Sequence, residues 1–407
     1  MRSQPEAERD AWHGPRLHEF VALMAALMAS NALAIDSMLP ALPAIGAALD
    51  MPDANQRQLV ITAYLLGFGG AQIAYGPLAD RFGRKRLLIG SLVLYMLFAV
   101  LCGIAGSFTL LLIARAMLGV AAAGTRVLVV AVIRDRYSGS AMARVMSLTM
   151  IIFMLVPMLA PSFGQAVLAI GTWRHIFIGL AVYALVLLLW AAVRLPETLP
   201  ETWRRPLSAA HLGEAMRLVV TNRASAGNTL SMTLVLGGLF AFIGSIQQIV
   251  FDVFKSPEWL GLVFAMIGAP MALASFANSR MVHRLGSRRI LLSATFGFSA
   301  VALVHLAVAA TVGETLWLFV LLQAMTMSCF GLIGANAGSL AMEPLGHIAG
   351  TASSVQGLTT TVGGALIGYA IGQQFDGTTV PFLIGLTVCG LAGLAVALWA
   401  NPRPVAG

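Results

Sequence analysis

Twelve apolar runs, most of them at least about twenty residues long and separated by short polar segments, constrain this chain more than any other feature. A helix needs about 20 apolar residues to cross the hydrocarbon of a bilayer, and only helices or closed barrels satisfy their backbone polar groups there. The runs therefore predict an all-α integral membrane protein, with spans at about 17–49, 58–79, 86–105, 108–133, 143–170, 174–193, 224–250, 259–280, 289–310, 314–338, 348–373 and 379–400. A chain that is 58% hydrophobic and 10% charged, with mean hydropathy +0.85, cannot hide that surface in one soluble core. The predicted organisation is a tail at 1–16, a six-helix bundle at 17–193, a polar linker at 194–223, a second six-helix bundle at 224–400 and a tail at 401–407. The linker is read in part as an amphipathic helix lying on the membrane surface.

The formal charge of +8 is concentrated in loops, which argues against nucleic acid as a partner and for a lipid bilayer. With the N-terminus inside, 20 of the 25 Lys and Arg fall on the cytoplasmic side, and only Arg57, Arg174 and Lys255 fall opposite. That asymmetry predicts both termini in the cytoplasm and a multi-pass protein of the inner membrane. The polar opening residues do not read as a cleavable signal. Cys102, Cys329 and Cys389 lie in apolar runs without paired spacing and read as buried thiols, neither a disulfide framework nor a metal site.

Between spans two and three, Gly76 to Arg86 reads Gly-Pro-Leu-Ala-Asp-Arg-Phe-Gly-Arg-Lys-Arg, a tight basic loop in which Gly76 and Gly83 suit bends. A copy lies 203 residues on, where Arg284 to Arg289 aligns with Arg81 to Arg86 and His283 replaces Asp80. The offset is about half the chain and marks a duplication.

Charge inside a span is costly and signals function. Asp36 is the only acid within the apolar part of a span by this reading. Counting rise from the span ends places Asp36 and Arg115 at similar depth, so the expectation is an ion pair between spans one and four. Arg126, 11 residues beyond Arg115, returns to within about 20° of the same face. Two readings stand for Asp36: a coupling carboxylate, or a bridge to Arg115 that positions two helices. Burial favours its neutral acid and a neighbouring guanidinium favours the carboxylate. Asn31, Tyr64, Gln72, Gln247, Gln248, Gln323 and Asn336 are polar groups in apolar runs that either line a cavity or join helices. His305 is read as a buried, hydrogen-bonded neutral histidine.

The Gly76 to Arg86 motif, Asp36-Ser37-Met38-Leu39-Pro40-Ala41-Leu42-Pro43, Arg115 with Arg134-Asp135-Arg136-Tyr137, Trp173-Arg174-His175 and Leu195-Pro196-Glu197-Thr198-Leu199 together resemble the major facilitator superfamily. More narrowly, they are similar to its bicyclomycin and chloramphenicol resistance (Bcr/CflA-like) drug–proton antiporters. The resemblance implies two pseudo-symmetric bundles, twelve spans and alternating access around a central site. It implies a gate built from Gly76, Asp80, Arg81, Gly83, Arg84, Lys85, Arg86, Arg134 and Asp135, with the Asp80 carboxylate on a helix N-terminus of the second half in the outward-open state. Pro157, Pro161 and Gly164 resemble the kinked antiporter motif of span five, without its Gly-Pro start or double glycine. The expected function is proton-coupled export of small amphipathic drugs, with Asp36, Arg115 and Arg126 handling proton and substrate. No organic cofactor or metal is expected, since the chain has no Walker sequence and an ion gradient supplies the energy; a monomer is expected. Transport of a physiological metabolite such as a sugar or amino acid is the alternative. A membrane enzyme or sensor is disfavoured, because no loop carries a catalytic constellation and the outer loops are short.

Overall fold

The structure, a computed structural model, describes residues 14–51, 53–204 and 209–402. The tails expected before residue 14 and beyond residue 402 lie outside the described residues. The fold is all-helical: α1 (Leu17–Asp36), α2 (Leu42–Ala48), α3 (Leu59–Phe82), α4 (Arg84–Gly103), α5 (Phe108–Arg136), α6 (Gly139–Ile170), α7 (Trp173–Arg194), α8 (Ala209–Thr221), α9 (Arg223–Gln248), α10 (Leu260–Leu285), α11 (Ser287–Thr311), α12 (Leu316–Met342), α13 (Ala349–Gly372) and α14 (Val380–Ala400). Among the described residues, eleven helical segments are long and apolar enough to cross a membrane. The twelfth span, α13, has 24 residues but is rich in Gly, Thr and Ser. Its glycines allow close approach to other helices: Gly364 and Gly368 abut Phe240 of α9, while Thr361 and Val362 abut Gly69 of α3. The chain is thus a multi-pass membrane protein of two six-helix bundles.

Local chemistry sets the helix ends. Ser107 and Thr315 cap α5 and α12 by accepting hydrogen bonds from the N–H groups of Leu110 and Leu318, at 3.2 and 3.4 Å. These matched caps align the two halves with an offset of 208 residues. Span one does not run straight through. Pro40 and Pro43 have no N–H to donate, so α1 stops at Asp36, a 3-10 turn covers Leu39–Ala41 and α2 resumes at Leu42. At that break α6 comes into backbone contact: a Cβ on Gly164 would lie 1.9 Å from the Ser37 carbonyl oxygen and 2.9 Å from Pro40 Cγ. Pro157 and Pro161 both lie inside α6.

The loop between spans two and three is shorter than expected. Gly76 to Phe82 are the last turns of α3, with Pro77 inside the helix, and Gly76 is helical where a bend was expected. Only Gly83, with φ +92°, makes the turn, as Gly286, with φ +76°, does in the copy. The helix reaches Phe82 because one positive-φ residue suffices to reverse the chain. Lys85 donates to the Ala192 carbonyl at 2.8 Å, and Arg288 of the copy donates to the Asn401 carbonyl at 2.9 and 3.1 Å. Each cation thereby meets the negative end of its half's last helix. The end of the molecule carrying these loops is called the basic end below, and the opposite one the far end.

Glu197 completes the basic end of the first half. Its carboxylate accepts from the backbone N–H groups of Arg84 (2.8 Å) and Lys85 (3.2 Å), the first turn of α4, and from those of Thr198 and Leu199. An anion there satisfies otherwise unpaired donors and the helix dipole. Glu197→Ala is expected to cost about 1–2 kcal/mol, read as a lowered melting temperature of the purified protein, with Glu197→Gln retaining part of the loss.

In the linker, α8 packs one apolar edge on the second half, while Met216 and Val220 stay exposed. Its Val219 is buried in a cluster with Leu345, Ala352 and Val355, against Ile73, so α8 covers the basic end of α13.

Candidate functional site

Asp36 ends α1 at the break, and its side chain is buried with Oδ1 lacking a hydrogen-bond partner. The expected ion pair with Arg115 is not formed. Arg115, fully buried, donates through Nε to the Val60 carbonyl at 3.0 Å and through Nη1 to the Ala34 carbonyl at 2.9 Å, and lies 4.7 Å from the centre of the Tyr64 ring. Equal depth brought the two side chains to one level, but rise does not fix azimuth, and two carbonyls and a ring engage the guanidinium through Nε, Nη1 and its face, leaving Nη2 unbonded. Arg115 thus ties α1, α3 and α5 together.

The polar residues of the spans fall into two groups. Tyr64 donates to Asn31 Oδ1 (2.9 Å), and Asn31 Nδ2 reaches the Thr125 hydroxyl (3.3 Å) and the Ala122 carbonyl (3.4 Å). Gln72 donates to Thr361 (3.2 Å) across the seam between α3 and α13, and Asn336 to Asn278 (2.7 Å) between α12 and α10. These four join helices and do not line a cavity. Gln247 and Gln323 are buried with neither amide atom bonded. Under the offset of 208 set by the caps, Gln323 is the counterpart of Arg115, and both lie seven residues into their helices, about 10 Å deep. Gln247 is six residues short of Val253, where α9 loosens into a π turn, a feature common at functional sites. Asp36 Oδ1, Arg115 Nη2, Gln247 and Gln323 therefore place unbonded buried polar atoms on α1, α5, α9 and α12 at a similar depth. Buried polar groups are nearly always bonded, so this level is the candidate site.

An amide clasp closes it from the far end. Gln58 Nε2 donates to Gln248 Oε1 (2.6 Å) and to the Gly372 carbonyl (3.1 Å), and Gln248 Nε2 donates to Asn55 Oδ1 (2.8 Å). Asn55 Nδ2 reaches the Phe375 carbonyl at 3.0 Å, and Gln373 Nε2 returns to the Asn55 carbonyl at 2.9 Å. All of these bonds cross between the halves. A second link, Gln165 Nε2 to the Pro257 carbonyl at 2.9 Å, joins α6 to the turn before α10. Gln248, expected in the cavity, belongs to the clasp. At about 1 kcal/mol per neutral bond, Gln248→Ala is expected to raise about tenfold the rate at which a cysteine introduced at Thr62 reacts with an impermeant maleimide added from the far side.

At the basic end, Arg84 links Asp80 (Nη1 to Oδ1, 2.7 Å) to Asp135 (Nε to Oδ2, 3.0 Å), and Thr198 donates to Asp135 at 3.2 Å. With the far end closed, the Asp80 carboxylate thus meets Arg84, one turn on, instead of a helix of the second half. Arg81, Arg86 and Arg134 are exposed. Glu314, just before α12 at the far end, has its side chain buried: it bonds His305 Nε2 at 2.8 Å and accepts from the Thr379 hydroxyl.

Arg126 is exposed, although Ala121 to Thr125, Leu128 and Val129 around it are buried. It points about 180° from Met117, about 160° from Leu110 and about 140° from Ile113, the exposed large apolar side chains of α5. Its exposure is therefore to a cleft inside the protein, which the clasp bridges at the far end.

Comparison with known proteins agrees with this architecture. The chain is 30% identical over 378 residues to the uncharacterized MFS-type transporter YdgK of Bacillus subtilis (strain 168), covering 91% of this chain and 92% of that one. It is 29% identical to a bicyclomycin resistance protein homolog of Haemophilus influenzae, over 87% of this chain and 89% of the relative. A crystal structure of a D-xylose-proton symporter superposes with a TM-score of 0.73 at 14% identity, covering 94% of this chain and 97% of the other, a likeness of fold. Residues 24–368 match the Major Facilitator Superfamily, and the chain belongs to that family.

Proposed function

We propose that this transporter exports small amphipathic compounds, drugs among them, from the cytoplasm in exchange for protons. The observation that carries the reading is the buried Asp36 carboxylate, with one oxygen unbonded, at the break of span one. An exchanger needs a group that holds a proton or faces substrate but not both, and a carboxylate without a fixed partner meets that requirement. Asp36 takes up its proton when the far end is open, carries it as the far end closes, and gives it up to the cytoplasm when substrate binds from the basic end. Gln247 and Gln323 supply donors and acceptors to the polar part of the substrate. Arg115 holds α1 and α3 in place around that carboxylate. The likeness to a bicyclomycin resistance protein homolog supports drugs as cargo.

The basic end faces the cytoplasm, in keeping with the positive charge of its loops. Opening of the clasp is accompanied by movement of the Asp80 carboxylate from Arg84 to a helix N-terminus of the second half. The protein works as a monomer in the inner membrane and draws on the proton gradient alone. The test is transport by purified protein in liposomes, paired with drug-susceptibility profiling of cells with and without it. Antibacterial compounds should move against their gradient when a pH gradient is imposed, and a protonophore should stop them. Unchanged susceptibility together with gradient-driven uptake of a sugar or amino acid would favour metabolite transport instead.

A further inference from the structure

The strongest feature of the interior that the export reading above leaves unused is the solitary guanidinium of Arg126. Among the described residues it has no hydrogen bond or ion pair, although it stands within a membrane span and faces away from lipid. Such a charge is costly unless an anion or water meets it. No carboxylate among the described residues forms an ion pair with it. Asp36 is at the level of Arg115, whose position is 11 residues, or about 16 Å, further along α5. Asp135 is nine residues the other way, about 14 Å, and is held by Arg84 and Thr198. Glu19 is held by Arg194.

The helix presenting Arg126 is also fixed from behind. Thr125, the adjacent residue, is locked by Ser30 (3.1 Å) and Asn31 (3.3 Å) of α1, and Asn31 in turn by Tyr64 of α3. The guanidinium is thus a preorganised cation facing the interior, with its fork of donors free.

We infer that Arg126 recognises an acidic group of the substrate, a carboxylate or similar planar oxyanion, so that the exported amphipaths are anionic or zwitterionic. This rests on the export reading above and adds the charge class of the cargo. A guanidinium pairs with a carboxylate through two parallel bonds, a geometry that lysine does not reproduce. The same charge repels purely cationic compounds approaching from the cytoplasm.

The test measures initial rates of transport by the purified protein in liposomes for three sets of amphipathic compounds of similar size: carboxylates, neutral compounds and cations. Chloramphenicol and its succinate half-ester give one matched neutral and carboxylate pair. The wild type is expected to prefer the carboxylates. Arg126→Gln is expected to raise KM for carboxylates by about tenfold to a hundredfold, the worth of a charge-assisted pair, and to raise it less for neutral compounds. Arg126→Lys should recover part of the loss. Transport of cations alone by the wild type, or unchanged carboxylate KM in Arg126→Gln, overturns the inference and leaves export standing. Transport of no member of any set overturns the export reading and this inference with it.

Discussion

Gly164→Ala is expected to abolish most transport and to lower the melting temperature, although it adds a single methyl group. The new Cβ would lie 1.9 Å from the carbonyl oxygen of Ser37, a backbone atom one residue beyond Asp36. A flexible side chain could swing away, but here α6 must shift outward or the break in span one must move. Overpacking of this kind costs about 1–3 kcal/mol, and the displaced segment carries the proposed coupling carboxylate. Gly90→Ala is the control, because nothing lies within 4 Å of the Cβ position there. Wild-type transport and melting temperature in Gly164→Ala would show that the contact does not position the break.

Asp36→Asn is expected to remove proton-driven export while leaving the fold in place. The amide is nearly isosteric, and no hydrogen bond or ion pair involving the carboxylate is broken, since Asp36 Oδ1 has no partner. Loss of titration then separates coupling from structure. Imposed pH gradients should no longer drive accumulation, while exchange of labelled for unlabelled compound across the same liposomes should persist. Arg115→Ala should behave differently, because it unties the Ala34 and Val60 carbonyls and leaves them buried. Its main expected effect is on stability, read as poor recovery of folded protein.

Residue order carries much of this architecture. Span length and the prolines at 40 and 43 mark the helices and the break, because both act within a few residues. The duplication is legible for the same reason: Gly83 and Gly286 both need positive φ, and few other residues tolerate it. Contacts between distant segments were not legible. Glu197 caps a helix that begins 113 residues earlier, and no spacing rule joins the two. Helical rise shows that Asp36 and Arg115 share a depth, but the partners of Arg115 are backbone carbonyls, which carry no residue signature. Helical periodicity shows which face of α8 is apolar but not that α13 covers it. The clasp had a weak signal in Asn55, Gln58, Gln248 and Gln373, all amides at helix ends. That signal becomes readable only when the far ends of α3, α9 and α13 are brought together.

The measurement closest to the central claim is proton release when a transported compound is added to purified protein in detergent and weak buffer, followed with a pH indicator. With no membrane and no gradient, it reports only whether substrate and proton compete within the molecule. The account predicts that the wild type releases protons on addition, and that Asp36→Asn releases none while still binding the compound. Release from Asp36→Asn equal to that of the wild type would contradict it and move the coupling group elsewhere, first to the buried His305 and Glu314 pair.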